Sequence, residues 1–527
     1  MGSAPREAGT ILPLVREVTG SPDPLALYAA LSDGGTRPGT FLLESGDHGT
    51  GAGERSLLGV SPALRVVCRG RSVEVTACSA NGRALLDWVA GALSPSAAVE
   101  QSGEQLVATF PPAPESALDE SARVRLPSPM DALRTIVFGP RLLARPADAC
   151  HLAAGVFSYD MIELFEQLPV GRPEAAPTAH YEFIVPDRLI IIDHLRHRTL
   201  VVATACGGAE GVANYNDAVQ AIDALIRAVE GAEPRPLPPA PAGDQIPAFV
   251  ADLSDDEFAD LVDRLKRHVA AGDVFQIVAS RTFSLPCPDP LAAYGRLRAA
   301  NPSPYLFYVA GADSTVFGAS PETAVKVSGT PRRVMIRPIA GTAARGLNAD
   351  GSVDADLDAR REAALRLDEK ETAEHMMLVD LARNDVARVS RAGTRQVTRL
   401  LAVDRYSRVM HLVSEVEGEL AEGLDALHAY TAAMNMGTLV GAPKVRAAEL
   451  LREVETSRRG VYGGAVGYLT QEGEMDTAIV IRAAVVRGGV ASVRAGAGIV
   501  YDSDPASEAL ETRRKAEAVL RAIGSHD

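Results

Sequence analysis

Cysteine is scarce in this 527-residue sequence, and its five copies form no pattern. Cys68, Cys78, Cys150, Cys206 and Cys287 are scattered, odd in number and include no CxxC pair. This spacing excludes a zinc ribbon and a disulfide framework. Scattered thiols are typical of a reducing compartment, so the sequence predicts a cytoplasmic protein.

Long apolar runs and an excess of basic residues are also lacking. No run reaches the length of about 18 apolar residues that a membrane-spanning helix needs. The N-terminus has no apolar segment of the secretory type. The formal net charge of −15 disfavours a nucleic-acid partner, because phosphates would be repelled. An acidic small substrate is still compatible with this charge, since it needs only a local cation.

What the sequence does contain is an ordinary globular composition, with 46% hydrophobic and 23% charged residues. Residues 231–247 carry six prolines and cannot form a helix or a central strand, so they are predicted to be a linker. The sequence is therefore divided into an N-terminal domain at 1–230 and a C-terminal domain at 248–527. The two parts are expected to be able to share strands of one sandwich.

Strand and helix patterns do not alternate regularly, which favours an α+β body with large, mainly antiparallel sheets. A capping box at Ser254 and Glu257 begins one helix, and Gly272 ends it. The other predicted helices are Asp358–Ala382, Leu424–Met434, Lys444–Val454 and Ser507–Ile523. The predicted strands are Thr40–Glu44, Ala63–Val67, Phe183–Val185, Asp187–Asp193, Tyr305–Val309, Thr315–Gly318, Val334–Ile336, Ala478–Val486 and Ala491–Arg494.

Two pairs of glutamates lie three residues apart on predicted helices. Glu371 and Glu374 form one pair, and Glu508 and Glu511 form the other, so each pair shares a helix face. The stripe that continues from Glu508 is mostly apolar, which turns this carboxylate toward the protein body, where it needs a partner. The pairs are candidates for a shared Mg²⁺ site, and solvent-exposed helix glutamates are the alternative.

Two polar side chains interrupt apolar runs. Arg482 is the single charge in Ala478–Val486, and its guanidinium must pair with either a substrate carboxylate or an internal acid. His411 lies in the apolar run 409–413. It is either a core residue or, if it lines a cleft, the candidate acid or base.

Glycine-rich segments add candidate backbone contacts. Pro338 and Gly341 are expected to form the exit turn of a strand, which would bring the Thr342 hydroxyl near a ligand. Segments 462–467 and 495–498 either approach an anion closely or form tight sheet corners. Neither has the pattern of a nucleotide-binding loop, so nucleotide binding is not supported.

Seven segments in a fixed order are together similar to the chorismate-utilising enzymes, and within them to the large, synthase subunits of anthranilate synthases. The resemblance extends from Leu42 to Thr512. The segments are Pro338–Thr342, Glu371–Asp385, Asp404–Ser414, Gly437–Lys444, Tyr462–Tyr468, Asp476–Arg482 and Ala495–Gly498.

The resemblance implies an α/β sandwich of two large, mainly antiparallel sheets, with helices outside and the active site in the cleft. It also implies Mg²⁺ on Glu374 and Glu511, with Glu371 and Glu508 at the adjacent acidic positions.

The resemblance further implies roles around the substrate. Arg482 and Tyr462 match positions that hold the pyruvyl carboxylate, and Glu322 matches a general acid. Thr342 and His411 match residues beside the ring. The remaining substrate-binding candidates are Thr438, Lys444, Gly496 and Gly498.

Two positions separate the subfamilies. Ala340 stands where aminodeoxychorismate synthases carry a nucleophilic Lys, so a covalent adduct there is excluded. Gln276 stands where isochorismate and salicylate synthases carry a Lys that activates water. Because Gln cannot act as that base, ammonia is the favoured nucleophile. Val440 departs from the Ser usual in the family and loses a hydroxyl.

The implied reaction is amination of chorismate at C2 with loss of the C4 hydroxyl, followed by elimination of pyruvate to give anthranilate. None of the five cysteines lies in the Gly-flanked turn of an amidotransferase nucleophile. The resemblance therefore implies ammonia from a separate glutamine amidotransferase subunit, in a heterotetramer.

The resemblance also implies feedback inhibition by tryptophan. The matching residues are Leu43, Glu44, Ser45, Arg55, Pro304, Tyr305 and Leu306. Two alternatives stay open at this point. One is an aminodeoxyisochorismate synthase of secondary metabolism that lacks the pyruvate-releasing step, and the other is a catalytically silent, tryptophan-binding regulatory protein.

Overall fold

The strands of this protein are joined into one hydrogen-bonded network. The structure is a computed structural model that describes residues 4–45, 55–112, 125–145, 151–169, 178–233, 246–348, 350–406 and 409–524. Within these ranges 24 strands are connected, and every pairing is antiparallel except that of Thr10–Thr19 with Arg141–Leu142. The prediction of an α+β fold with mainly antiparallel pairing is confirmed.

The first ten strands precede residue 207. They are β1 (Thr10–Thr19), β2 (Thr40–Glu44), β3 (Arg55–Arg69), β4 (Ser72–Ala77), β5 (Ala98–Ser102), β6 (Gln105–Thr109), β7 (Arg141–Leu142), β8 (Leu152–Phe157), β9 (Tyr181–Asp193) and β10 (Arg198–Cys206).

The remaining strands follow residue 249. They are β11 (Val250–Ala251), β12 (Gln276–Pro286), β13 (Tyr305–Ala310), β14 (Thr315–Ser320), β15 (Thr323–Ser328), β16 (Arg333–Ile336), β17 (Ile339–Ala344), β18 (Gln396–Arg405), β19 (Val409–Glu419), β20 (Gly441–Ala442), β21 (Ala465–Thr470), β22 (Met475–Ile479), β23 (Ala483–Arg487) and β24 (Val490–Ile499).

Twelve α-helices occur in the described ranges. They are α1 (Pro24–Leu31), α2 (Ala80–Leu93), α3 (Met130–Phe138), α4 (Gly211–Glu230), α5 (Asp255–Ala270), α6 (Pro290–Ala300), α7 (Ala355–Leu367), α8 (Glu369–Val389), α9 (Ala426–Ala433), α10 (Gly437–Val440), α11 (Lys444–Val454) and α12 (Pro505–Ile523). The capping box at Ser254 and Glu257 is present, and Gly272, with φ of 82°, follows the end of α5.

Three buried clusters define a sandwich with helices outside. A central cluster takes its buried side chains from strands, including β2, β9, β13 and β22, and from Val480 directly after β22, with none from a helix. One outer cluster packs α1, α4, α6 and α12 against the sheet, and another packs α2, α3, α8 and α9. Two sheet layers therefore face each other across the central cluster.

The sandwich is continuous rather than built from two separate sheets. Strand β3 has 15 residues and pairs with β9 through register shifts between Gly59 and Leu64. Such irregularities bend a strand, which lets it pass from one layer to the other. Strands of the two predicted domains also pair directly, β2 with β13 and β8 with β21. Most of the predicted linker, residues 234–245, lies outside the described residues.

Three predicted elements are wrong in detail. Ala478–Val486 is two strands, because Arg482 has a φ of 52°, which a strand residue cannot adopt. Asp358–Ala382 is two helices, because Asp368 separates them and caps α8 by accepting a hydrogen bond from Glu371 N. The predicted exit turn at Pro338 and Gly341 does not leave the sheet, but only interrupts the strand pairing there.

The interruption is visible in the strand pairing. Both β16 and β17 pair with β19, with a register shift between Ile339 and Thr342. Gly341 lies within this shift with a φ of 88°, a conformation that suits glycine. The chain thus continues along the same partner strand after Pro338. Within the described ranges, no helix combines the length and the apolar composition that a membrane crossing needs.

Candidate active site

Thr342 and His411 face each other across two paired strands. They are register partners on β17 and β19, and Thr342 Oγ1 lies 2.9 Å from His411 Nδ1. Burial lowers the pKa of His411, and the nearby Arg482 lowers it further, against a backbone hydrogen bond to Gly341 that raises it. The imidazole is therefore neutral at neutral pH and able to accept a proton.

Glu322 occupies the short connection between β14 and β15. Its carboxyl is buried, with 9% of the residue exposed, and it accepts a 3.1 Å hydrogen bond from Thr438 Oγ1. Burial raises the pKa of Glu322 to about 8, against smaller lowering effects of Thr438 and Lys515. A carboxyl group with this pKa holds its proton at neutral pH and can donate it.

The four candidate glutamates converge from two helices. Glu371 and Glu374 lie near the start of α8, and Glu508 and Glu511 lie near the start of α12. Burial raises the pKa of Glu371, Glu374 and Glu508, and neighbouring carboxylates raise each of them further. Glu511 is among the repelling neighbours of all three. The helices therefore bring four like charges within electrostatic range.

This acidic cluster fits a hard cation in its chemistry. Carboxylate oxygens are ligands that Mg²⁺ prefers, and two positive charges would relieve the mutual repulsion. Within the described ranges, however, no three Asp, Glu, His or Cys side chains converge closely enough to hold a metal ion. One Glu511 oxygen is instead paired with Lys515 Nζ at 2.6 Å. Binding a dication would require movement of side chains.

Arg482 is a half-buried cation without a carboxylate partner in the part of the chain that the structure describes. Its guanidinium donates to the backbone oxygen of Lys515 at 2.6 Å, and no described carboxylate lies within 4.0 Å of it. Burial lowers its pKa, against the raising effects of Tyr462 and Glu511. A half-buried guanidinium without a carboxylate partner favours an anionic ligand.

Two glycines of β24 leave room for neighbouring side chains. A Cβ on Gly496 would lie 2.9 Å from Tyr462 Oη, and a Cβ on Gly498 would lie 2.9 Å from Gln276 Nε2. Gln276 Oε1 is buried and has no hydrogen-bond partner among the described residues. Because these glycines have no side chain, the Tyr462 phenol and the Gln276 amide can approach the backbone of β24.

Lys444 makes its contacts elsewhere. Its Nζ pairs with Asp385 Oδ2 at 2.6 Å and donates to the backbone oxygen of Ala433 at 2.7 Å. Both partners belong to the α8 and α9 region. The side chain therefore anchors the start of α11, and the structure does not bring its ammonium to the other candidate residues. Val440 is fully buried among apolar side chains.

Sequence reasoning missed a buried charge network beside Tyr462. Glu455 is paired with Arg459 at 2.7 Å and with Arg494 at 2.9 Å. Burial opposes ionisation of Glu455, but the two guanidinium groups outweigh it and lower its pKa. Arg459 also lies over the Tyr462 ring at 5.9 Å. The single charge of Arg494 in an apolar strand was the available signal.

A cavity of about 480 Å³ is lined by residues of both predicted domains. Glu44, Ser45 and Leu306 line it together with Arg298. The Glu44 carboxyl is buried, accepts a hydrogen bond from Tyr294 Oη and pairs with Arg298 at 2.9 Å. We refer to it below as the Glu44 cavity.

The other residues predicted for the tryptophan site point in different directions. Leu43 and Tyr305 pack against the central cluster, and Tyr305 Oη donates to Asp476 at 2.9 Å. Pro304 is buried. Arg55 is exposed at the start of β3, opposite Asp193 in the register. Neighbouring residues of one strand thus point to opposite faces of the sheet.

Comparison with protein families matches residues 98–521 to the model of chorismate binding enzymes. Similar proteins are called anthranilate synthase component 1. The one from Vibrio cholerae is 50% identical over 503 residues, covering 95% of this chain and 94% of its own length. The one from Escherichia coli is 47% identical, covering 95% of both. A pyocyanine-specific component 1 from Pseudomonas aeruginosa is 50% identical, covering 92% and 90%.

Solved structures of similar proteins have the same fold as this chain. Anthranilate synthase component I from Streptococcus pneumoniae superposes with a TM-score of 0.67 at 30% identity, covering 89% of this chain and 92% of its own. The isochorismate synthase MenF from Escherichia coli superposes with a TM-score of 0.66 at 17% identity, covering 99% and 96%. At that identity the second likeness concerns the fold alone.

Proposed function

We propose, from the premise that this chain belongs to the family of chorismate-binding enzymes, that it is the synthase subunit of an anthranilate synthase. It acts on chorismate, adding ammonia at C2 with loss of the C4 hydroxyl and then eliminating pyruvate. The observation that carries the proposal is that two candidate residues differ in protonation at neutral pH. Glu322 holds a proton at neutral pH, whereas His411 does not.

Glu322 serves as the general acid. The C4 hydroxyl leaves as water only if it receives a proton, and a buried carboxyl group with a pKa of about 8 supplies one at neutral pH. Thr438 fixes the orientation of this carboxyl through its hydrogen bond. The raised pKa is therefore suited to the first step.

His411 serves as the base of the second step. Its neutral imidazole accepts the C2 proton of the aminated intermediate, pyruvate leaves, and the ring becomes aromatic. Thr342, 2.9 Å from Nδ1, orients the ring. The neighbouring Arg482 lowers the pKa of His411 and so helps to keep the imidazole neutral before it accepts the proton.

The substrate carboxylates are matched by positively charged groups. Arg482, with Tyr462 beside it, binds the pyruvyl carboxylate, and the glycines Gly496 and Gly498 admit the substrate close to β24. Glu374 and Glu511 would hold Mg²⁺, assisted by Glu371 and Glu508. When bound, the dication supplies positive charge opposite the ring carboxylate.

Ammonia is the proposed nucleophile, delivered by a separate glutamine amidotransferase subunit within a heterotetramer. Gln276 supports this choice, because its buried amide oxygen accepts hydrogen bonds but cannot deprotonate water. Ala340 offers no nucleophile of its own. We also propose a cytoplasmic location, in keeping with the scattered single cysteines.

Tryptophan is the proposed ligand of the Glu44 cavity. The paired carboxylate of Glu44 and guanidinium of Arg298 are complementary to the ammonium and carboxylate of an amino acid. The volume of about 480 Å³ is in the range of small-molecule sites. In this proposal residues 248–527 form the catalytic part, and the regulatory site of residues 1–230 also takes Arg298 and Leu306 from that part. A tryptophan titration that changes neither activity nor melting temperature would remove it.

The deciding experiment supplies chorismate, Mg²⁺ and an ammonium salt to the purified chain. We expect fluorescent anthranilate and an equal amount of pyruvate, with no hydrolysis of glutamine. The His411→Ala variant should lose anthranilate formation by about 10²–10⁴-fold while the aminated intermediate accumulates.

Other outcomes select the alternatives. An aminated product without pyruvate from the unmodified chain would indicate an aminodeoxyisochorismate synthase. Tryptophan binding without any turnover would indicate a regulatory protein. Glutamine hydrolysis by the isolated chain, or unchanged turnover in His411→Ala, would contradict the mechanism.

A further inference from the structure

Lys515 lies between the groups that the proposed mechanism uses. Its Nζ is 2.6 Å from Glu511 Oε1 and donates to the backbone oxygen of Gly496 at 3.0 Å. Its own backbone oxygen accepts the hydrogen bond from Arg482. One residue of α12 therefore contacts a candidate metal ligand, a glycine of β24 and the candidate carboxylate-binding arginine.

The ammonium also acts on groups that it does not touch. It lowers the pKa of Glu508 and of Glu322, against the burial that raises both. Within the described chain, Lys515 makes the one direct ion pair with the acidic cluster. Lys370 acts on Glu371, Glu374 and Glu508 only through space.

We propose that Lys515 is an exchangeable counter-ion of the acidic cluster. Its ammonium neutralises Glu511 and is displaced from this carboxylate when a divalent cation binds, while the Gly496 carbonyl keeps it in the site. This inference rests on the proposed metal site. It explains how four carboxylates are held together on two helices that the substrate must approach.

The exposure of the pair makes the exchange feasible. The side chains of Lys515 and Glu511 are 36% and 46% exposed, so solvent screens their attraction and a partly exposed pair of this kind is weak. A dication attracts a carboxylate more strongly than an ammonium does, because it carries twice the charge. The released ammonium stays near Glu508, where negative charge is available to it.

The test measures the binding of Mn²⁺ and Mg²⁺ to the full chain without chorismate, by calorimetry and by melting temperature. If the ammonium competes with the cation, Lys515→Met should lower the dissociation constant for Mn²⁺ by about two- to fivefold. In a chelator the same variant should melt at a lower temperature than the unmodified chain. Added Mg²⁺ should then raise its melting temperature by more.

Lys370→Met is the matched control. It removes the same charge from the same cluster but breaks no ion pair within the described residues, so its gain in Mn²⁺ affinity should be smaller. Lys515→Gln, which keeps a polar chain of similar length, should reproduce the gain of Lys515→Met. In a Glu511→Gln background, Lys515→Met should gain no more Mn²⁺ affinity than Lys370→Met does, because the competing pair is already lost.

The outcomes separate this inference from the proposed function. If the unmodified chain binds Mn²⁺ but Lys515→Met binds it equally or more weakly, the counter-ion role is wrong and the metal site stands. Equal gains in Lys515→Met and Lys370→Met would also overturn it, because they would reflect net charge alone. If neither the unmodified chain nor any variant binds a divalent cation, both the metal site and the exchange are wrong.

Discussion

Two buried glutamates in this protein have opposite proton affinities. Glu322 is 9% exposed and its pKa rises to about 8, whereas Glu455 is 5% exposed and its pKa falls below the ordinary value. Burial disfavours ionisation at both positions. The difference lies in the partners, because Glu322 accepts one hydroxyl hydrogen bond and Glu455 pairs with two guanidinium groups.

The difference separates a group proposed to act in catalysis from a group that supports the fold. Glu455 and its arginines satisfy one another, and they tie α11 to the backbone of β12 through Val278 and Ser280. Glu322 is left with a proton and faces the region of Thr438 and Lys515. A buried charge that finds its counter-charges within the chain supports the fold, and one that does not is available to a ligand.

The largest effect is expected from removing the proton of Glu322. Glu322→Gln should lower kcat by about 10²–10⁴-fold, because the amide cannot protonate the leaving hydroxyl. Its free energy of unfolding at neutral pH should be unchanged or higher, since Gln resembles the protonated acid. Anthranilate formation and urea unfolding measure the two quantities. A large loss of stability with little loss of kcat would make Glu322 a structural residue.

The opposite pattern is expected at Glu455. Glu455→Gln leaves Arg459 and Arg494 buried without a carboxylate and should lower the free energy of unfolding by about 3–5 kcal/mol. Glu449→Gln, which breaks a partly exposed pair with Arg446 on the same helix, is the control and should cost less than about 1 kcal/mol. Equal losses in the two variants would show that the buried network contributes no special stability.

The pH dependence of stability should differ in sign between the two glutamates. The pKa of Glu322 is raised in the folded state, so its stabilising contribution is complete below about pH 4.3 and is lost as the pH rises toward 8. Relative to Glu322→Gln, the unmodified chain should lose at most about 1.4 kcal/mol per pH unit in this window. The contribution of Glu455 should be present above its unfolded pKa and lost in acid. Urea unfolding of the unmodified chain and both variants at several pH values tests both signs.

The smallest effects are expected from substituting Thr438 and Ser280, each of which gives one hydroxyl hydrogen bond to a buried glutamate. Thr438→Val removes the hydrogen bond that lowers the pKa of Glu322, so the alkaline limb of kcat/KM should move to higher pH. Ser280→Ala removes one hydrogen bond from Glu455, but the two arginines should keep that carboxylate ionised. The pH profile of kcat/KM measures the first change and acid unfolding the second. A shift of the alkaline limb to lower pH in Thr438→Val would contradict the assignment of Glu322.

Local signals predicted much of the secondary structure. The capping box at Ser254 and the bounds of the helix Lys444–Val454 agree with the structure. The continuous strand through Arg482 was wrong, because an apolar run does not reveal a residue with positive φ. The break at Asp368 was missed for a similar reason, since helix periodicity continues through a cap that separates two helices.

The sequence predicted which residues belong to the site more completely than it predicted their contacts. The motifs listed Glu374, Glu511, Arg482 and His411, but they gave no indication of Lys515, although its spacing of four from Glu511 permits an ion pair. They also gave Lys444 a place near the substrate, whereas its ammonium is bonded to Asp385. A lysine carries the same charge in either setting, and only its neighbours decide whether it is free.

The order of the motifs by itself determined the family, the mainly antiparallel fold and the identity of most candidate residues, because each motif depends on residues close together in the chain. The tertiary structure alone decided which charges neutralise one another. Glu322 and Thr438 are 116 residues apart, and Glu455 and Arg494 are 39 apart. Proton affinity depends on distance in space and on burial, and both of these are fixed only when distant strands and helices pack together.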